Sequence, residues 1–227
     1  MRWLYGVATL LVALWLIVAV RAPGTESSAG AVFPTVEAVK VLATESGVPN
    51  AVTGLILRNR LYDTVFEVVV FSTAILGAKY LLADEQPTAS VAQFSDIPSV
   101  VLARVGATIS ALIAVELAIR GHLSPGGGFA AGVAGGTAIG LIAITASSTW
   151  MEEIYTQWRA AMWEKLSVVA FIGVAIVALA GWQLPTGELG ALISGGWIPI
   201  LNILVATKVA LGSWAAILIF IRYRGLL

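Results

Sequence analysis

The sequence predicts an all-α integral membrane protein with about six transmembrane helices and no sizeable soluble domain. Three observations predict it. Of the 227 residues, 59% are hydrophobic and 11% charged, against about 45–50% and about 25% in ordinary soluble domains. Mean hydropathy is +0.92. Six apolar stretches are each long enough to cross a hydrocarbon core of ~30 Å at about 1.5 Å per residue.

The spans run in order along the chain. Residues 3–20 carry no charge inside and follow Arg2. They are longer than a signal-peptide core and lack a clear cleavage site, so they read as a retained helix. A long connection follows. Within it, 51–62 places Val52, Leu55 and Ile56 on one helical face, while Thr53, Arg58, Asn59 and Arg60 are polar, so the segment could lie flat in the interface. The second span, 64–83, holds Glu67 and Lys79, with Asp63 placed to cap its start. Residues 84–97 carry three acids and no Lys or Arg, the sharpest composition break in the chain, and mark a module boundary. The third span, 98–119, holds Arg104 and Glu116. The fourth, 125–146, is uncharged and opens with Ser124 as expected N-cap and Pro125 in the first turn. Residues 147–165 read as a connection whose Trp150, Tyr155, Trp158 and Trp163 suit an interfacial belt. The fifth span, 166–184, is uncharged, 185–196 is a glycine-rich loop, and the sixth, 197–221, holds Lys208. Basic residues divide five against five between the two sides, so the positive-inside rule does not decide topology. Cytoplasmic termini are the working expectation.

Composition also excludes. The formal net charge is zero, with no basic stripe for nucleic acid. There is no cysteine, hence no disulfide and no cysteine-held cluster in this chain. With a single histidine, a zinc or haem site made from this chain alone is not expected. No nucleophile–base set or nucleotide loop is visible, so no catalytic residue is assigned.

The candidate residues lie where polarity meets the spans. Gly128, Gly132, Gly136 and Gly140 stand four apart and share one helix face, a stripe for close packing against another helix. Gly126 and Gly127 fall outside that stripe: they form a tight turn, or they loosen the helix start beside an ion-holding cavity. An ionisable group in hydrocarbon costs ~2.5–3.5 kcal/mol on insertion scales, so each one needs a partner or a water path. Lys208, near the middle of its span, should face a carboxylate or an internal water path. Glu67 could take up a proton or pair with a base. Glu116 has Arg120 four residues on, the spacing of a surface pair. His122, the only histidine, is a possible proton relay or a solvated loop residue.

GHLSPGGGF, from Gly121 and His122 through Ser124, Pro125, Gly126, Gly127 and Gly128 to Phe129, followed by Gly132, resembles the signature loop of the MrpB (MnhB) subunits of Mrp-type cation/proton antiporters. TKVALG at 207–212 is similar to the lysine–valine stretch of that family's last helix. Residues 51–82 resemble the C-terminal segment of the large MrpA subunit, also found as the separate small subunit MbhE; Arg60, Asp63, Thr64 and Glu67 match its pattern. The resemblance implies an MbhE-like module, 1–97, with two spans, fused to an MrpB-like module, 98–227, with four. It implies a subunit of a multi-subunit Na+/H+ antiporter in a prokaryotic cell membrane, with MrpA/MrpD-like, MrpC, MrpE, MrpF and MrpG-like partners and surrounding membrane lipid. No cofactor is implied; Na+ and H+ are cargo. Carried over by position, Glu67 and Asp63 are candidates for the ion path, with Lys208 and His122 as further ones; Glu116 is a candidate from its place in a span alone. Two other assemblies fit the same pattern: a hydrogenase-like or respiratory complex that pumps ions, and a purely structural scaffold.

Overall fold

The computed structural model describes residues 35–87 and 91–224. The expected first span, 3–20, lies outside them. Contacts divide the chain into Met1–Ala38 and Val39–Leu227, and apart from the first residues of helix α1 all that follows concerns the second unit. Among the described residues every regular element is helical.

Helix α1, Thr35–Ser46, is followed by the short α2, Ala51–Gly54. Asn50 caps α2, its side chain accepting the Thr53 N–H at 3.2 Å. The chain runs on through a π-helical turn, Leu55–Asn59, into α3, Leu61–Leu81. Val52, Ile56, Arg58, Asn59 and Arg60 are exposed, while Thr53 and Leu57 are buried. Asp63 does not cap α3. The helix begins two residues before it, after Arg60, and Asp63 instead pairs with the Arg60 guanidinium at 2.6 Å.

Helix α4 spans Ile97–Arg120 and starts on Asp96, which accepts the Ser99 N–H, with proline next in the first turn. Helix α5 is Gly127–Ala143. Seventeen residues give about 25 Å, shorter than the expected 125–146 and short of a full crossing at ordinary thickness. Ser124 does not cap it: its hydroxyl donates back to Arg120 O, and Gly126 takes the cap position without a side-chain bond. The connection at 147–165 is itself largely helical. Ser147 caps α6, Ser148–Gln157, and Arg159 in the left-handed region (φ 48°) breaks it from α7, Ala160–Leu179. The fifth span therefore starts six residues earlier than expected, and it carries Glu164 and Lys165. Helix α8, Ile198–Arg224, closes the described chain.

Helix α8 is the axis of the bundle. Of its most apolar stretch 44% is buried, against 11–22% in α3, α4 and α7. It packs against α3, α4, α5, α6 and α7. One core joins Leu61 and Val68 of α3 with Phe171 of α7 and Leu201, Val205 and Val209 of α8. A second joins Ala143, Met151, Ala160, Trp214 and Leu218, with Tyr155 and Trp158 standing edge-on to Trp214 at 5.2 and 6.3 Å. The outer faces of α3, α4 and α7 remain apolar and exposed. With four helices long and apolar enough to cross a bilayer, this is a multi-pass membrane protein.

Candidate functional site

Lys208 is fully buried, on the face of α8 that meets α3 and α7. Its ammonium lies 3.1 Å from Glu164 Oε1 of α7 and 4.5 Å from the Phe71 ring centroid of α3. Gly212, one turn on, makes the space: a Cβ there would stand 3.1 Å from Lys208 Nζ and 2.7 Å from Phe71 Cε1. A charge in hydrocarbon is tolerated only with such partners. Of the two alternatives the sequence left for Lys208, a carboxylate or an internal water path, Glu164 supplies the first. Its signal was hidden because a segment rich in charge and tryptophan reads as a loop, and Arg159 restarts the helix only one residue before Ala160.

Glu164 is 15% exposed, and its exposed side opens into a crevice of about 570 Å³ between α3, α6, α7 and α8. Tyr155 lines the same crevice. Burial raises its phenol above the ordinary tyrosine value, and the Glu164 carboxylate adds to that shift. The pair is thus closed towards the core and reachable from one end of the bundle.

The glycine stripe meets α8. Added Cβ atoms at Gly128 would strike the Asn202 carbonyl and stand 3.1 Å from Val205 Cβ. At Gly132 they would strike Val209, at Gly136 they would lie 2.6 Å from Ser213 Cβ, and at Gly140 3.5 Å from Ile217 Cδ1. Backbone-to-backbone approach of this kind is what small residues permit in lipid. Phe129, which ends the GGGF run, stands edge-on to Phe71 at 6.0 Å, so the run braces the ring that covers Lys208. Gly126 and Gly127 have φ of 141° and 84°, and a Cβ on Gly126 would sit 2.6 Å from Leu117 Cδ2. These two make the tight turn.

Side chains from elsewhere hold that turn. Asn50 Nδ2 donates to Gly121 O and Ser124 O at 2.8 and 2.7 Å, and Thr53 Oγ1 donates to Gly121 O. Asn202 Nδ2 donates to Leu117 O and Ala118 O at 3.0 and 2.8 Å, capping the end of α4 from α8. Sequence reading missed Asn202; a lone amide inside IPILNILV is the signal that could have found it. Asn202→Leu removes both bonds; Leu117 O keeps the Gly121 N–H, but Ala118 O loses its side-chain donor, so a loss of about 1–3 kcal/mol is expected, read as a lower thermal midpoint in detergent.

His122 is fully buried in this turn. Nε2 stands 3.1 Å from Leu192 O, a pure acceptor, so Nε2 carries the proton and Nδ1 is left as a buried acceptor without a partner among the described residues. Burial lowers the ring's pKa below the ordinary value, against the raising effect of the Leu192 and Ala191 carbonyls. Above about pH 6.5 the ring is neutral in both folded and unfolded chains and contributes no pH dependence. Below it the unfolded chain takes the proton first, so stability falls as pH falls. A thermal midpoint followed from pH 8 to 5 should drop below about pH 6.5. The drop should flatten in His122→Gln, which can still donate to Leu192 O.

The remaining candidates lie apart. Glu116 pairs with Arg120 at 3.2 Å on the open face of α4, a surface pair worth little. Glu67 is exposed on the outer face of α3 and has no partner among the described residues. Asp63 is held by Arg60. No hydrogen bond among the described residues joins His122 to Lys208. No group of three or more His, Cys, Asp or Glu side chains among the described residues could hold a metal ion.

The model of the domain related to the MnhB subunit of Na+/H+ antiporters matches residues 98–215, more than half of the chain. The chain belongs to this family. The match runs from α4 through the glycine turn to α8 and includes both Glu164 and Lys208. Two solved structures share the fold. One is a chain of the membrane-bound sulfane sulfur reductase, an archaeal respiratory membrane complex, with TM-score 0.64 and 24% identity over 97% of this chain and 98% of that one. The other is a chain of the Mrp complex from Dietzia sp. DQ12-45-1b, with TM-score 0.60 and 18% identity over 98% of this chain and 26% of that one. No curated protein matches significantly. For this MnhB-related chain, both structural likenesses cover more of the sequence than the family match does.

Proposed function

We propose that this MnhB-related chain is a subunit of an Mrp-type Na+/H+ antiporter in a prokaryotic cell membrane. It would assemble with MrpA/MrpD-like, MrpC, MrpE, MrpF and MrpG-like subunits, its termini in the cytoplasm. Residues 1–97 would form the MbhE-like module and 98–227 the MrpB-like module. The observation that carries the reading is the family match over 98–215. The fold shared with a chain of the Dietzia Mrp complex supports it.

The buried Lys208–Glu164 pair gives the reading a mechanism. The ammonium and the carboxylate lie 3.1 Å apart, and Glu164 lines the crevice. A proton or Na+ arriving at Glu164 through the crevice weakens its hold on Lys208 and changes the field felt along α8. Glu67 would be the second charge on the path. A carboxylate on the open face of a span is too costly to leave in lipid, so it faces a neighbouring subunit or water. Glu67→Gln is expected to lower Na+/H+ exchange several-fold while the complex still assembles. Unchanged exchange per assembled complex would remove Glu67 from the path.

The archaeal respiratory relative supports a second reading, in which the same subunit serves a redox-driven ion pump. Co-purification from native membrane distinguishes the two. Antiporter-like partners alone favour the first; a nickel- or iron–sulfur-binding partner favours the second.

A further inference from the structure

The crevice beside Glu164 has a second character that ion passage does not use. Its rim carries three basic side chains from three different helices: Lys79 in the last turn of α3, Lys165 in the second turn of α7 and Arg222 near the end of α8. None of them is in an ion pair among the described residues. All three stand at one end of the bundle, together with α6 and its exposed Trp150 and with Trp158 and Trp163, the level at which aromatic residues mark a membrane interface. Inward of the rim the walls turn aliphatic, with Ile75, Leu76, Val168, Val169, Leu218 and Ile219. Two carboxylates line the crevice. Glu164 is committed to Lys208, which leaves Glu152 alone against three cations.

We propose that this crevice holds an anionic glycerophospholipid, its phosphate among Lys79, Lys165 and Arg222 and its acyl chains along the aliphatic wall. Basic pockets between spans are the recognised form of such sites, and about 570 Å³ accommodates a headgroup, the glycerol and the first methylenes. Free phosphate would satisfy the cations but has no use for the wall. A neighbouring helix would have to bury three cations against its own acids. The net positive rim selects an anionic over a zwitterionic headgroup. The binding site itself does not depend on the antiporter reading.

The test is native mass spectrometry of the purified, assembled complex after delipidation, with phosphatidylglycerol, phosphatidylcholine or inorganic phosphate added back. The wild-type complex should retain or rebind phosphatidylglycerol about tenfold better than phosphatidylcholine. The Lys79→Gln/Lys165→Gln/Arg222→Gln triple variant should lose that preference, while Arg104→Gln on the outer face of α4 should keep it. Equal binding of the two lipids, competition by inorganic phosphate at the same concentration, or an unaffected triple variant would overturn the proposal. A photo-crosslinking residue at Leu76 in the otherwise unaltered complex needs no folding of the triple variant. Lipid adducts are expected, and crosslinks to another subunit alone would contradict the site.

Discussion

Glu164→Gln is expected to destabilise the protein by about 3–5 kcal/mol, because it strands the fully buried Lys208 ammonium without its carboxylate. Lys208→Met should cost less. It strands Glu164, but that carboxylate already opens onto the crevice and can be rehydrated there. Combining the two removes both charges, and replacing a buried pair by groups of similar volume is often close to neutral. The double variant should therefore recover most of the lost stability, giving a large favourable coupling in a double-mutant cycle. The readout is the thermal midpoint of the purified complex, with assembly yield beside it. Additive losses would mean that the two side chains do not depend on each other, and the pair would not be the element described.

Gly132→Ala carries the second large effect. The new methyl would collide with Val209 Cβ and stand 2.8 Å from Ala206 O, both on α8, at the centre of the α5–α8 contact. Overpacking costs typically about 1–3 kcal/mol and occasionally more, and here the obstacle includes backbone. The control is Gly173→Ala on α7, where a Cβ meets nothing within 4 Å. That change should be neutral or stabilising by up to ~1 kcal/mol through helix propensity. Chemically identical substitutions should thus move the thermal midpoint in opposite directions. Phe129 shares α5 with Gly132, so displacing α5 should also loosen the Phe71 ring over Lys208.

What could be read in the sequence followed from periodicity and composition. Apolar runs gave the all-α membrane class because length and hydropathy are properties of the chain itself, although α5 is shorter and α7 starts earlier than those runs suggest. The four-residue glycine register named a helix face before any neighbour was known, and α8 is the helix that lies against it. What could not be read depended on single backbone events or on distant partners. Nothing in QWRAA announces that Arg159 adopts a left-handed conformation, yet that residue decides that Glu164 belongs to a span. Ser124–Pro125 has the chemistry of a helix start, but the positive φ angles of Gly126 and Gly127 delay α5 and turn the serine back onto α4. The burial of His122 comes from the loop at Leu192, seventy residues away, a contact without a local signal.

Under the proposed function, Lys208 and Glu164 would carry charge for transport and do more than hold helices together. The most direct measurement is Na+ uptake driven by an imposed pH gradient, in proteoliposomes containing the complex with Lys208→Met and Glu164→Gln combined, normalised to assembled complex. Wild-type assembly with uptake reduced to background is expected. Wild-type uptake per assembled complex would contradict it and leave the pair a structural clamp.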